Sequence, residues 1–199
     1  MSHDALPEVY LARHGETAWA LSGQHTGLTD IPLTERGERN ARSLGERLKG
    51  LSFTEVWTSP LHRASRTCEL AGFEGQAKVN PDLVEWDYGD YEGRKTVDIR
   101  QENPDWFLFR DGVPNGESVQ AIGARADRVI DHLRGIEGNV LLFGHGHFFR
   151  VLAARWLDLV AGDARLFLLG TASLSILGYE HNPEEPVIKL WNDNRHLTD

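Results

Sequence analysis

The chain is poor in the residues that would cross-link it, anchor it in a membrane or hold it to polyanions. It has one cysteine, Cys68, so no intrachain disulfide can form and no thiolate set for zinc exists. A reducing, cytoplasmic setting is expected. No apolar run approaches the ~18–20 residues that span a bilayer; the longest, around 140–143 and 166–169, are strand-sized. The first residues, MSHDALPEV, lack a basic region followed by a long apolar one, so no signal peptide and no membrane contact are expected. Positive charge is scarce: 21 Lys and Arg against 30 Asp and Glu leave a net charge of −9. That excludes a general nucleic-acid face but leaves room for a local positive well built by a few arginines. Repeats and low-complexity tracts are also lacking.

What is present suits a core. Hydrophobic residues make up 40% of the chain, too many for wholesale disorder. Val9 to Ala12 reads as a buried strand. Thr34 caps a helix to about Lys49, with Ala41, Leu44 and Leu48 on one face. Glu55 to Thr58 reads as a second strand. Ser59-Pro60 turns into a helix from about Leu61 to Leu70, and a weaker strand lies near Lys78 to Asn80. Ser118 caps the clearest helix, in which Val119, Ile122, Ala126, Val129, Ile130 and Leu133 recur at helical spacing. Val140 to Phe143 is a fully apolar strand, followed by a helix from about Phe148 to Leu157. Leu174 to Tyr179 and Val187 to Trp191 are two late strands. Strands alternating with helices imply an α/β fold, a mostly parallel central sheet between two helical layers. One domain over residues 1–199 is expected, with 81–116, rich in glycine, acids and aromatics, as an insertion over the strand ends.

Three motifs follow strands: Arg13-His14-Gly15, Ser59-Pro60-Leu61-His62-Arg63-Ala64 and Gly144-His145-Gly146-His147. Strand ends are where α/β sheets bind ligands, so these can converge at one sheet edge. Arg13 and Arg63 offer forked donors suited to phosphate. His14 can act as nucleophile or base, and helix starts after residues 60 and 146 add oriented N–H groups. Everything there donates or is positive, which is what a phosphoryl group in transfer requires.

These motifs, with the acidic stretch Glu85-Trp86-Asp87-Tyr88-Gly89-Asp90-Tyr91-Glu92-Gly93 between them, occur in an order that resembles the histidine phosphatase (phosphoglycerate mutase-like) superfamily from about residue 9 to 175. The wording Gln24-His25-Thr26-Gly27-Leu28-Thr29-Asp30 and Glu85-Trp86-Asp87-Tyr88-Gly89 is most similar to broad acid phosphatases and sugar-phosphate phosphatases, sedoheptulose-bisphosphatase-like enzymes among them. The resemblance implies a phosphoglycerate mutase-like fold and a phosphomonoester hydrolase that needs no metal or other cofactor. It implies His14 as the phosphorylated nucleophile, with its other ring nitrogen donating to a backbone carbonyl. Arg13, Arg63 and His145 would hold phosphate. Glu85 would be the general acid, a role that starts from the protonated carboxyl. Ser59 would add a phosphate contact, Arg150 would meet a second anionic group, and His25, Thr26, Trp86 and Tyr88 would touch the organic part of a small phosphorylated metabolite, a sugar phosphate or bisphosphate.

Blander readings stand beside these. Arg13-His14 could be a satisfied polar pair, Arg63 and Arg150 salt-bridge partners, and the acids of 85–92 a solvated loop. His145 and His147 lie two apart with no third ligand motif, which argues against a metal, and His147 is read as structural. The clump Trp106-Phe107-Leu108-Phe109 is read as core or as a homodimer contact rather than a stacking platform. Cys68 is read as core filler. Two rival functions remain: a phosphoglycerate mutase, weakened because Ala20 follows Trp19 where mutases usually carry Asn, and a non-catalytic phospholigand-binding module.

Overall fold

The computed structural model describes residues 6–197. Residues 1–5, the start of the stretch expected to carry no signal peptide, lie outside the described residues.

Six strands form one sheet: β1 (Val9–Arg13), β2 (Glu55–Thr58), β3 (Ala77–Val79), β4 (Val140–Gly144), β5 (Leu174–Tyr179) and β6 (Pro186–Asp193). Their order is β3-β2-β4-β1-β5-β6. The first four are parallel, while β5 runs antiparallel to β1 and β6 antiparallel to β5. The short connection between β5 and β6 allows only an antiparallel pair.

The central strands are apolar throughout because helices cover both faces. Side chains alternate across the pleat. Val9, Leu11, Trp57, Val140 and Leu142 face one core with Ile122, Ala126, Phe148 and Leu152. Those last residues lie on α6 (Val119–Arg134) and α7 (Gly146–Trp156), whereas α1 (Ala18–Ser22), α2 (Glu35–Leu48), α3 (His62–Leu70), α4 (Thr96–Glu102) and α5 (Leu108–Asp111) come earlier in the chain. Tyr10, Ala12, Val56, Leu141 and Phe143 face the other core with Leu44 and Leu48 of α2 and Cys68 of α3. Thr34 and Ser118 cap α2 and α6 through their hydroxyls, which accept from Gly37 and Ala121 N–H.

Two helices lie within 81–116, where the sequence shows no regular pattern. They span seven and four residues, too short for a 3.6-residue period to emerge. The clump at 106–109 is core: Trp106, Leu108 and Phe109 are buried and Trp106 Nε1 donates to the Gly112 carbonyl. The apolar run 166–169 is not a strand; Leu166 and Leu168 are exposed. No helix among the described residues is long and apolar enough to cross a membrane.

β4 lies between β1 and β2, so the carboxyl ends of three strands meet. Arg13 pairs in register with Gly144, and Ser59 N–H donates to the Phe143 carbonyl. This brings residues 13–14, 59–63 and 144–147 to one edge of the sheet.

Candidate active site

A cavity of about 290 Å3 opens at that edge, lined by Arg13, His14, Ala20, Gln24, His25, Thr26, Glu85, Tyr88, Thr96, Gly146, His147, Arg150 and Leu169 among others. Its floor is His14, which follows β1 and is 4% exposed. Gly15 lets the chain turn there against α2: a Cβ at Gly15 would sit 2.4 Å from the Gly37 carbonyl oxygen, closer than a side chain tolerates. His14 Nδ1 lies 2.7 Å from the Gly15 carbonyl. That oxygen can only accept, so Nδ1 carries the proton and Nε2 is bare. Burial, then Arg13 and Arg63, hold the ring well below the usual histidine range, outweighing the Gly15 carbonyl.

Arg13 reaches past Gly146, where a Cβ would lie 3.0 Å from its Cζ, and Nη1 donates to the Leu169 carbonyl. Arg63, on α3, is fully buried. Its Nη1 donates to the Thr29 carbonyl at 3.0 Å, and Nη2 to the carbonyls of Thr26 and Gly27 at 3.1 and 2.7 Å. The 27–29 turn is gripped from its other side by Glu92, which accepts from Gly27 and Thr29 N–H. His145 is also fully buried, its ring 5.2 Å from that of His14. Burial and then Arg63 keep it well below the usual histidine range.

Among the described residues, four buried side-chain polar atoms have no hydrogen-bond partner; three of them are Arg13 Nε, Arg63 Nε and His145 Nδ1. A buried donor without a partner costs about 1–3 kcal/mol. The three residues that carry these atoms surround His14, two through their charge and one through its ring, and unpartnered donors beside it suit an anion.

Glu85 is buried yet reaches the cavity. Its Oε1 accepts from Trp86 and Phe148 N–H at 2.9 and 2.8 Å, and Oε2 accepts from His147 N–H at 3.0 Å. Two of those donors belong to the open first turn of α7, where the helix dipole favours an acidic group. Oε2, with one bond, is the freer oxygen.

Four expected site residues, Arg63, His145, Trp86 and Ser59, are not among those lining the cavity; Arg63 and His145 are buried beside His14. Trp86 does not touch the cavity: it is fully buried and Nε1 donates to the Glu117 carbonyl at 2.7 Å, because its apolar bulk is worth more inside the core. Ser59 likewise does not line the cavity. Its hydroxyl lies 2.8 Å from His145 Nε2 and accepts from Leu61 N–H at 3.3 Å, so it orients His145.

Thr26, His25, Tyr88 and Arg150 do line the far wall. His25 stacks beside Tyr88 at 4.8 Å, meets Thr96 Oγ1 through Nε2 at 3.2 Å, and is pushed down to about 4 by burial. Arg150 lies over the Phe109 ring at 4.5 Å, donates Nε to the Ala164 carbonyl, and is lowered by burial to about 10. Among the described residues it makes no salt bridge. His147, read from sequence as structural, lines the cavity too and pairs through Nδ1 with the Tyr88 hydroxyl. Gln24 and Thr96 were missed; the bridge between Gln24 and Lys95 that brings their loops together has no sequence signal. Arg125, 7% exposed, pairs with Glu117 at 2.6 Å, and a charge three residues past Ile122 on an apolar stripe is itself a signal of such a buried pair.

A family model described as "Histidine phosphatase superfamily (branch 1)" matches residues 9–194. An acid phosphatase of Mycobacterium tuberculosis is 41% identical, covering 86% of each chain. Sedoheptulose 1,7-bisphosphatase of Saccharomyces cerevisiae is 33% identical, covering 92% of each. A solved structure of an open-reading-frame product from Mycobacterium tuberculosis superposes with a TM-score of 0.88 at 38% identity, covering 93% of this chain and 96% of that one.

Proposed function

The chain belongs to the histidine phosphatase superfamily, and from that premise we propose that it hydrolyses small phosphorylated metabolites in two displacements through a phosphohistidine at His14. The observation that carries this reading is that Arg13 Nε, Arg63 Nε and His145 Nδ1 are buried and unpartnered, on three residues that surround a histidine whose Nε2 is bare.

His14 Nε2 attacks phosphorus in line while the two guanidinium groups and His145 spread the charge of the equatorial oxygens. Ser59, donating its hydroxyl proton to His145 Nε2, leaves the imidazole proton on Nδ1 for the phosphate. The bond from phosphorus to the leaving oxygen breaks, and protonated Glu85 gives that oxygen its proton from Oε2. Water then attacks the phosphohistidine, Glu85 takes a proton from it, and phosphate leaves with His14 and Glu85 restored.

The far wall supports a substrate with hydroxyl groups and a second anion. His25, His147, Gln24 and Thr96 supply neutral donors and acceptors, and Arg150 supplies the charge. Sugar phosphates and bisphosphates have that composition, and one relative is named for a sugar bisphosphate. Ala20 lines the cavity and brings no donor, which favours hydrolysis over the mutase reading.

A panel of phosphomonoesters tests the proposal, ranked by kcat/KM with p-nitrophenyl phosphate as reference. Phosphate release from sugar mono- or bisphosphates is expected. Interconversion of 3- and 2-phosphoglycerate with bisphosphate primer, outpacing hydrolysis, would replace the reading with a mutase. Phosphate binding without any turnover would replace it with a binding module.

A further inference from the structure

We propose that the buried pair Arg125–Glu117 is a positioning device for Glu85, setting leaving-group protonation without touching substrate. This rests on the reading of Glu85 as general acid.

Arg125 sits on α6, on the side facing the segment that carries Glu85, and is 7% exposed. A guanidinium has five N–H donors, and five bonds are made here. Nη1 donates to the carbonyls of Asp82 and Val84 at 2.9 and 2.7 Å, and Nη2 to the carbonyl of Glu85 at 3.3 Å. Nε and Nη2 donate to the two carboxylate oxygens of Glu117 at 2.9 and 2.6 Å. Glu117 in turn grips the residues after Glu85: its N–H donates to the Asp87 carbonyl at 2.9 Å, and its carbonyl accepts from Trp86 Nε1. The pair therefore holds the acid-bearing backbone on both sides of residue 85. Arg125 also lies over the Phe148 ring at 4.5 Å, and Phe148 N–H holds Glu85 Oε1. One guanidinium thus contacts the peptide of Glu85 and the residue that orients its carboxyl.

Stability alone explains this arrangement poorly, because a buried ion pair is often no better than apolar residues of the same volume. Three of the donors point instead at the carbonyls of Asp82, Val84 and Glu85, where one 3-10 turn leads into extended chain, a path the fork dictates. Lysine, a point charge with three donors, cannot reproduce that geometry.

The experiment compares Arg125→Lys and Glu117→Gln, each alone and combined with Glu85→Gln, on glycerol 2-phosphate and p-nitrophenyl phosphate. The first has a strongly basic alkoxide leaving group that needs a proton; the phenolate of the second does not. Because kcat/KM reports only the steps up to departure of the leaving group, and not the hydrolysis of phosphohistidine that both esters share, misplacing a catalytic group should lower kcat/KM on the alkyl ester by about 10–100-fold, and by less than about threefold on the phenyl ester. In the Glu85→Gln background the added effect should shrink below about twofold, as groups acting as one unit are non-additive. Equal losses on both esters, or an undiminished loss in the Glu85→Gln background, would overturn the proposal. Should Glu85→Gln itself lower kcat/KM for both esters equally, the general-acid reading fails and the proposal fails with it. A discriminating Glu85→Gln beside non-discriminating clamp variants sinks the positioning role alone. Glu117→Gln keeps the side-chain volume and one acceptor, so it carries the test if Arg125→Lys does not fold.

Discussion

His14 Nδ1 and the carbonyl oxygen of Gly15 are 2.7 Å apart. Adjacent residues thus fix which ring nitrogen is bare, and the turn that makes this contact exists because Gly15 packs against the backbone of Gly37. The positive surroundings complete the arrangement. Arg13 and Arg63 discourage a proton on the ring while offering their remaining donors to an anion beside it.

On the proposed role of His14, the first consequence is an acid-tolerant nucleophile. His14 is held well below the usual histidine range by burial and two arginines, so it stays neutral under mildly acidic conditions. A histidine of ordinary pKa, near 6.5, would lose activity about tenfold per pH unit below that value. For p-nitrophenyl phosphate, kcat/KM corrected for substrate ionisation should show no such limb between pH 6.5 and pH 5. A limb at 6.5 would mean that the ring is not shielded as described.

Folding stability should move the other way. His14, His25, His145 and His147 are all shifted down by burial, His25 to about 4. Between the folded and unfolded values the unfolded chain binds more protons, so stability rises with pH there. It is full above about 6.5 and falls as pH drops towards 4, each histidine contributing about 1.4 kcal/mol per pH unit in its window. Urea denaturation at several pH values checks this; His25→Gln should flatten the slope by about one proton, and an unchanged slope would contradict its burial as a neutral ring.

Ser59 is expected to act on His145 rather than on phosphate. Ser59→Ala removes the hydroxyl 2.8 Å from His145 Nε2 and frees the other tautomer. Losing one such buried bond should lower kcat/KM by about 10–100-fold, on the scale of about 1–3 kcal/mol. Nitrogen-15 NMR of the histidine rings separates the two roles, since a direct phosphate contact would leave the His145 tautomer unchanged in the free enzyme.

Arg150 should discriminate substrates. Its guanidinium lines the cavity with, among the described residues, only Nε committed, to Ala164. Arg150→Met should lower kcat/KM for sugar bisphosphates about 10–100-fold more than for the matching monophosphates, the range of a charge-assisted hydrogen bond. Equal losses on both would assign Arg150 to packing on Phe109.

The fold was legible because its strands are short apolar runs between capped helices. Val9–Ala12 and Val140–Phe143 could be read as buried on both faces, and Thr34 and Ser118 were visible as caps. The site motifs were legible because each follows a strand. What escaped were roles decided by direction and distance. Trp86 lies beside Glu85 in sequence but points into the core, and His147 lies beside Gly146 yet lines the cavity. The clamp of Arg125 depends on carbonyls some forty residues away in the chain, and no local pattern encodes such a pairing.

The central claim is a phosphorylated His14, and trapping that intermediate tests it most directly. Rapid quenching in base after brief exposure to phosphorus-32 substrate should leave label on the wild-type chain that is lost in acid, as a phosphoramidate is. Peptide mapping should place it at His14, and His14→Gln should carry none while also losing turnover. Label at another residue, or substantial hydrolysis by His14→Gln, would contradict the account.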